Sequence, residues 1–130
     1  MRLKDKVSII TGAASGFGEG IAKKFSEEGA KLILVDINKD LLEKVSQDLN
    51  QDFFHTDVSS SSSMKKLSEY VLKKYRTIDI MVNNAGITHL PKPLEEVGEE
   101  EFDKVFAVNS KSVFLCGKFF VPHMKKQKKG

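Results

Sequence analysis

Short apolar runs alternate with helical patterns four times along this chain, and that alternation limits the folds open to it. Val7-Ser8-Ile9-Ile10 precedes a helical pattern carrying Ile21, Ala22 and Phe25, and Leu32-Ile33-Leu34-Val35 precedes Leu41, Leu42, Val45 and Leu49. Asp52-Phe53-Phe54-His55 is a weaker strand ahead of Met64, Leu67, Val71 and Leu72. Ile78-Asp79-Ile80-Met81-Val82 leads to a last helix over roughly residues 99–124. Apolar runs with no polar alternation belong to strands covered on both faces. Strands separated by helices of ten or more residues pair in parallel through right-handed crossovers. The expected fold class is α/β, a doubly wound parallel sheet that stops after about four strands.

The punctuation agrees with these elements. Gly29 is placed to close the first helix, and Asn38 or Asp40 to cap the second. One serine of Ser59 to Ser63 is expected to cap the third helix, and His89-Leu90-Pro91-Lys92-Pro93 must be a loop. At 130 residues the chain suits one domain. A chain of that size buries roughly two-thirds of the surface it exposes when unfolded.

Thr11-Gly12-Ala13-Ala14-Ser15-Gly16-Phe17-Gly18 follows a strand and opens a helix. Glycines at such a turn let backbone N–H groups approach a pyrophosphate closely, and the helix N-terminus favours negative charge. Gly12, Ser15, Gly16, Phe17 and Gly18 are therefore candidate cofactor-binding residues, although a glycine turn alone can also be a plain turn. Asp36 tips the balance toward a ligand, with the plainer reading a strand-end acid that caps the next helix, a task open to Asn38 and Asp40 as well. It ends the second strand, 20 residues after Gly16, where a carboxylate can accept the adenosine ribose hydroxyls. With its neighbour Ile37 it completes a Rossmann-type site. A 2′-phosphate facing Asp36 would be repelled and no Arg stands near to offset it, so NAD is expected in preference to NADP.

These residues make the chain resemble the N-terminal part of the short-chain dehydrogenase/reductase family. The spacing G-x-x-x-G-x-G after Thr11 resembles that family's fingerprint, and Asp57-Val58 its adenine-contacting pair. Asn83-Asn84-Ala85-Gly86 resembles its N-N-A-G motif at the fourth strand, which makes Asn84, Ala85 and Gly86 candidate cofactor-lining residues. Asn109 matches the Asn of the family's catalytic tetrad. Each also has a plainer reading, Asp57 as a turn acid and Asn83-Asn84 as a strand end. Asn109, in a helix otherwise carrying Phe102, Val105, Phe106, Val113 and Phe114, is expected to be buried. A buried amide is either locked to backbone or holding a water, and the resemblance implies the water, in a proton relay at a helix kink.

The resemblance implies NAD(P)-dependent hydride transfer between nicotinamide and an alcohol or carbonyl, as in a 3-oxoacyl thioester reductase or a sugar or polyol dehydrogenase. In that family a Tyr moves the proton, a Lys four residues on lowers its pKa and a Ser positions the substrate oxygen. Tyr70 and Lys74 have the spacing but lie before the N-N-A-G segment, so they are expected to be surface residues near the end of the third helix. The chain ends where the family's fifth strand would begin. Residues 1–130 are thus expected to be the dinucleotide-binding portion of one longer domain, with the catalytic half absent and no turnover alone. The alternative is a stand-alone NAD-binding regulatory module, and a third reading is a non-binding fragment that pairs through its last helix. The resemblance also implies a homo-oligomer, dimer or tetramer, with Phe119, Phe120 and Val121 in either the interface or the core.

Composition removes other classes. At 40% hydrophobic and 30% charged residues the chain reads as a soluble globular protein. No signal peptide or membrane span is expected, and the lone Cys116 points to a reducing, cytoplasmic setting. Lys125, Lys126, Lys128 and Lys129 lie in the last six residues, and taking four charges from the net +3 leaves −1. The body of the chain is not basic, so no nucleic acid partner is expected. His55, His89 and His123 form no ligand spacing with Cys116 or an acid cluster, so no metal is expected.

Overall fold

The computed structural model describes residues 1–130. In chain order it contains β1 (Val7–Thr11), α1 (Gly16–Glu27), β2 (Lys31–Asp36), α2 (Lys39–Leu49), β3 (Asp52–His55), α3 (Ser61–Tyr75) and β4 (Ile80–Val82). After a loop come α4 (Glu99–Phe106), a π-helical stretch Ala107–Lys111 and α5 (Ser112–Gln127). The four strands form one parallel sheet in the order β3-β2-β1-β4, with Ile9 opposite both Ile33 and Met81. The chain builds outward from β1 to β3, then crosses back to place β4 on the other side of β1. That reversal opens a crevice at the carboxyl ends of β1 and β4, the position where sheets of this kind take ligands.

The unbroken apolar strands are explained by two cores, one on each face. Successive side chains of a strand point to opposite faces. Val7, Ile9, Ile33 and Val35 therefore pack with Met64, Leu67 and Val71 of α3 and Leu115 and Phe120 of α5. Ile10, Leu32 and Leu34 turn the other way, onto Ala22 of α1 and Leu42 and Val45 of α2.

The caps follow their sequence signals. The N–H of Gly29, at φ +84°, reaches the Ser26 carbonyl and that of Ala30 reaches Phe25, a double closure that satisfies the end of α1. Asn38 caps α2 through Leu41 N–H, and Ser60 caps α3 through Ser63 N–H.

The last helix departs from expectation. Instead of one regular helix over residues 99–124, a π turn spans Ala107–Lys111 and includes Asn109, and such bulges concentrate at functional positions. Phe102, Phe106, Val113 and Phe114 are exposed, not core, with the Phe102 and Phe106 rings stacked at 4.6 Å. Phe120 is fully buried and Phe119 packs against the core, whereas Val121 is exposed. β4 pairs only with β1 and presents an open edge. No helix is long and apolar enough to cross a membrane.

Candidate dinucleotide site

The turn after β1 is shaped by glycine at two points. Gly12 has φ +67°, and a Cβ there would lie 2.9 Å from Asn84 Nδ2 and 3.0 Å from Ala85 Cα. At Gly18 a Cβ would fall 1.9 Å from the Gly12 carbonyl oxygen, so any side chain would force the first turn of α1 off the loop. Ser15 is the N-cap of α1, but its hydroxyl makes no capping bond. The opening N–H groups of α1 are thus not taken by a side-chain cap, and they are the groups an anion would use.

One threonine joins this turn to β4. Thr11 Oγ1 donates to the Val82 carbonyl at 3.3 Å and accepts from the N–H groups of Asn84 and Ala85 at 3.1 and 3.0 Å. In return Asn84 Nδ2 donates to the carbonyls of Thr11 and Gly12 at 3.0 and 3.3 Å. The two strand ends are held in register by five hydrogen bonds across the crevice floor. Asn83 is exposed.

The opposite wall carries the acids. Asp36 Oδ2 accepts from Ala14 N–H at 3.0 Å and Oδ1 from Asn38 N–H at 2.9 Å. A carboxylate oxygen offers two lone-pair sites, so each keeps capacity for a further donor while its position is set by backbone. Asp57 Oδ1 accepts from Ser59 N–H and Oγ at 2.9 and 2.6 Å, and Val58 behind it is buried.

These groups surround a crevice of ≈ 480 Å³. Gly12, Ser15 and Phe17 line it from the turn, Asp36 and Ile37 from β2, and Asp57 and Val58 from the segment after β3. Asn84, Ala85 and Gly86 close it from β4. Gly16 and Gly18 do not line it and serve the turn's conformation and packing, Gly16 at φ +56°. Four further lining residues escape the sequence reading: Thr56, Ile87, Lys104 and Val108. The spacing of Lys104 and Val108, four apart on a helix, was the available signal for the last two.

Asn109 sits differently from expectation. It is exposed, not buried, and both ends of its amide go to one backbone residue: Oδ1 accepts from Ile87 N–H and Nδ2 donates to the Ile87 carbonyl, each at 2.8 Å. The amide is thereby held on the backbone of Ile87.

Tyr70 and Lys74 lie at the other end of the sheet, as their place in the chain requires, yet they are not loose surface residues. Tyr70 Oη, Lys74 Nζ and Tyr75 Oη all converge on Asp52 Oδ2 at the start of β3, at 2.7, 2.8 and 2.8 Å. Burial opposes ionisation of Asp52, but these donors and the Lys74 charge hold its carboxyl below the usual range. Burial and the adjacent carboxylate push Tyr75 up to about 12. Gathered on Asp52 at the start of β3, none of the three donors lines the crevice at the carboxyl ends of the strands.

The short chain dehydrogenase family model matches residues 6–130. The chain belongs to the short chain dehydrogenase family. It is 42% identical over 134 residues to zerumbone synthase of Zingiber zerumbet, covering 96% of this chain and 50% of that protein. It is 40% identical over 135 residues to the 3-oxoacyl-(acyl-carrier-protein) reductase of Thermotoga maritima, covering 100% of this chain and 54% of that one. A 3-ketoacyl-(acyl-carrier-protein) reductase of Brucella melitensis, solved with NADH, overlays with TM-score 0.92 at 40% identity, over 95% of this chain and 52% of its own. A metagenomic short-chain oxidoreductase solved with NADP overlays with TM-score 0.92 at 30% identity, over 100% of this chain and 61% of its own. The short chain dehydrogenase chain described here spans about half the length of the curated relatives it matches. None of these relatives supports the regulatory-module reading.

Proposed function

We propose that this chain is the dinucleotide-binding portion of an NAD-dependent oxidoreductase acting on an alcohol or carbonyl. The observation that carries the reading is the crevice at the β1/β4 reversal, with an uncapped helix N-terminus on one side and a backbone-anchored Asp36 on the other. The N–H groups of the Gly12–Gly18 turn hold the diphosphate. Asp36 accepts the ribose hydroxyls through the lone pairs its backbone partners leave, with Ile37 beside it, and Asp57 and Val58 take the adenine. Asn84, Ala85 and Gly86 line the path toward the nicotinamide. The bound cofactor supplies or accepts the hydride.

Asn109 enters as a positioning residue, fixing Ile87 against the crevice. The ionisable side chains lining the crevice are Asp36, Asp57 and Lys104, with no phenol, imidazole or thiol among them. No residue lining this crevice has the chemistry of the family's tyrosine, so none of them is assigned the proton step. The NADH and NADP complexes among the neighbours leave the choice to Asp36, whose charge opposes a 2′-phosphate and favours NAD. The names of two relatives make a 3-oxoacyl thioester a candidate substrate, with sugar or polyol hydroxyls the other candidate. Subunit pairing is assigned to the exposed face of Phe102, Phe106, Val113 and Phe114, large for a surface left to water. The free, buried Cys116 accords with a cytoplasmic location.

Calorimetry tests the binding reading. Wild type is expected to bind NADH more tightly than NADPH, and Asp36→Ala to lose roughly tenfold or more for NADH, the scale of hydrogen bonds to a charged group. Tighter NADPH than NADH in wild type would reverse the cofactor assignment. A Gly16→Val variant with full affinity would remove the site itself.

A further inference from the structure

We propose that Lys104 is a docking residue for the anionic part of the dinucleotide, raising affinity without taking part in the reaction. The proposal rests on the cofactor reading above and adds to it a group that none of the sequence motifs contains. Lys104 is the one cation lining the crevice, and the other ionisable lining groups, Asp36 and Asp57, are both acids. A dinucleotide brings two more negative charges on its diphosphate. With no positive side chain, the turn amides alone would have to hold that dianion in a crevice already carrying two carboxylates, and like charges placed close together repel.

The placement of Lys104 is not that of an ordinary paired surface lysine. The other charged residues of α4 are Glu99, Glu100, Glu101 and Asp103, all acidic. Glu100 stands four residues earlier, the order and spacing at which Glu and Lys pair along a helix. The ion pairs of the structure nonetheless omit Lys104, while Glu101 is taken by Lys92 at 2.8 Å and by Gly98 N–H at 3.1 Å. Its helix is also held in place. Val108, one turn on, lines the same crevice and packs against the core, and Asn109 clamps Ile87 on the crevice wall. An ammonium on a flexible stem is a mobile point charge, suited to following a phosphate more than to fixing one geometry.

Titration of the 130-residue chain with NADH, ADP and adenosine separates charge from packing. Lys104→Met breaks no ion pair and is expected to fold as wild type. It should weaken NADH and ADP about two- to fivefold in dilute buffer, the range of a partly exposed charge contact. That difference should vanish near 0.5 M salt, where screening acts within about 4 Å. Adenosine affinity should not change, and Lys104→Arg should restore the NADH value. Wild-type binding of NADH with Lys104→Met unchanged would overturn this proposal alone, as would an equal loss for uncharged adenosine. A wild type that binds neither NADH nor ADP would overturn the cofactor function, and this role with it.

Discussion

At the scale of single residues, the crevice depends on atoms that are absent as much as on those present. A methyl at Gly18 would sit 1.9 Å from a backbone oxygen, so Gly18→Ala forces loop and helix apart. Overpacking of this kind costs about 1–3 kcal/mol. The expected result is a lower melting temperature together with lost NADH affinity, whereas Gly20→Ala, where a Cβ meets open space, should lose neither. Cys116 shows the opposite condition. Burial pushes its thiol up to about 12, and the thiolate is the reactive form. It is expected to stay unlabelled by a thiol reagent in native buffer and to react fully in denaturant; rapid native labelling would show that α5 does not pack as described.

At the scale of elements, the joints matter most. Thr11→Val keeps the shape of the side chain but leaves the N–H groups of Asn84 and Ala85 without their acceptor, at a cost of about 1–3 kcal/mol. Denaturant melts should show that loss, and NADH titration a weaker site, because three of the five hydrogen bonds across the crevice floor go with the hydroxyl. The other end of β4 is joined electrostatically. Asp79 accepts from Val7 N–H at 3.0 Å and from Lys129 Nζ at 2.9 Å. Burial opposes its ionisation, but these contacts and the charges of Lys129 and Lys6 hold its carboxyl below the usual range. A carboxyl lowered on folding stabilises the folded chain at neutral pH, and that contribution drains away as pH falls below about 4, through the folded value. Asp79→Asn should therefore lower stability at neutral pH and flatten the acid limb of the stability profile. An unchanged acid limb would show that Asp79 does not report on folding.

At the scale of the whole molecule, two cores share one sheet. Phe120 lies in the core between the sheet and α3 and is fully buried, so Phe120→Ala should cost about 3–5 kcal/mol as read by urea unfolding. With the crevice lined by two carboxylates and one ammonium, the 130-residue chain is expected to bind NADH yet give no ketone-dependent NADH oxidation above buffer. Measurable turnover would place a proton donor within these residues that the geometry does not contain.

Much of this was readable before any coordinates, for a local reason. Strand periodicity, glycine at positive φ, Asn and Ser caps and the acid ending β2 are short-range properties, written in neighbouring residues. The α/β class, the glycine turn and the Asp36 wall of the crevice followed from them. The Asp57-Val58 and Asn84-Gly86 walls followed from the family resemblance, and the strand order only from the tertiary structure. What tertiary structure decided were contacts between residues far apart in the chain. These include the Thr11–Asn84 staple, the convergence of Tyr70, Lys74 and Tyr75 on Asp52, and the clamp of Asn109 on Ile87. Exposure of Asn109 and of the Phe102–Phe114 face belongs here too. An apolar helical stripe records only that a face seeks cover, and whether these 130 residues cover it depends on what the remaining elements leave beside it.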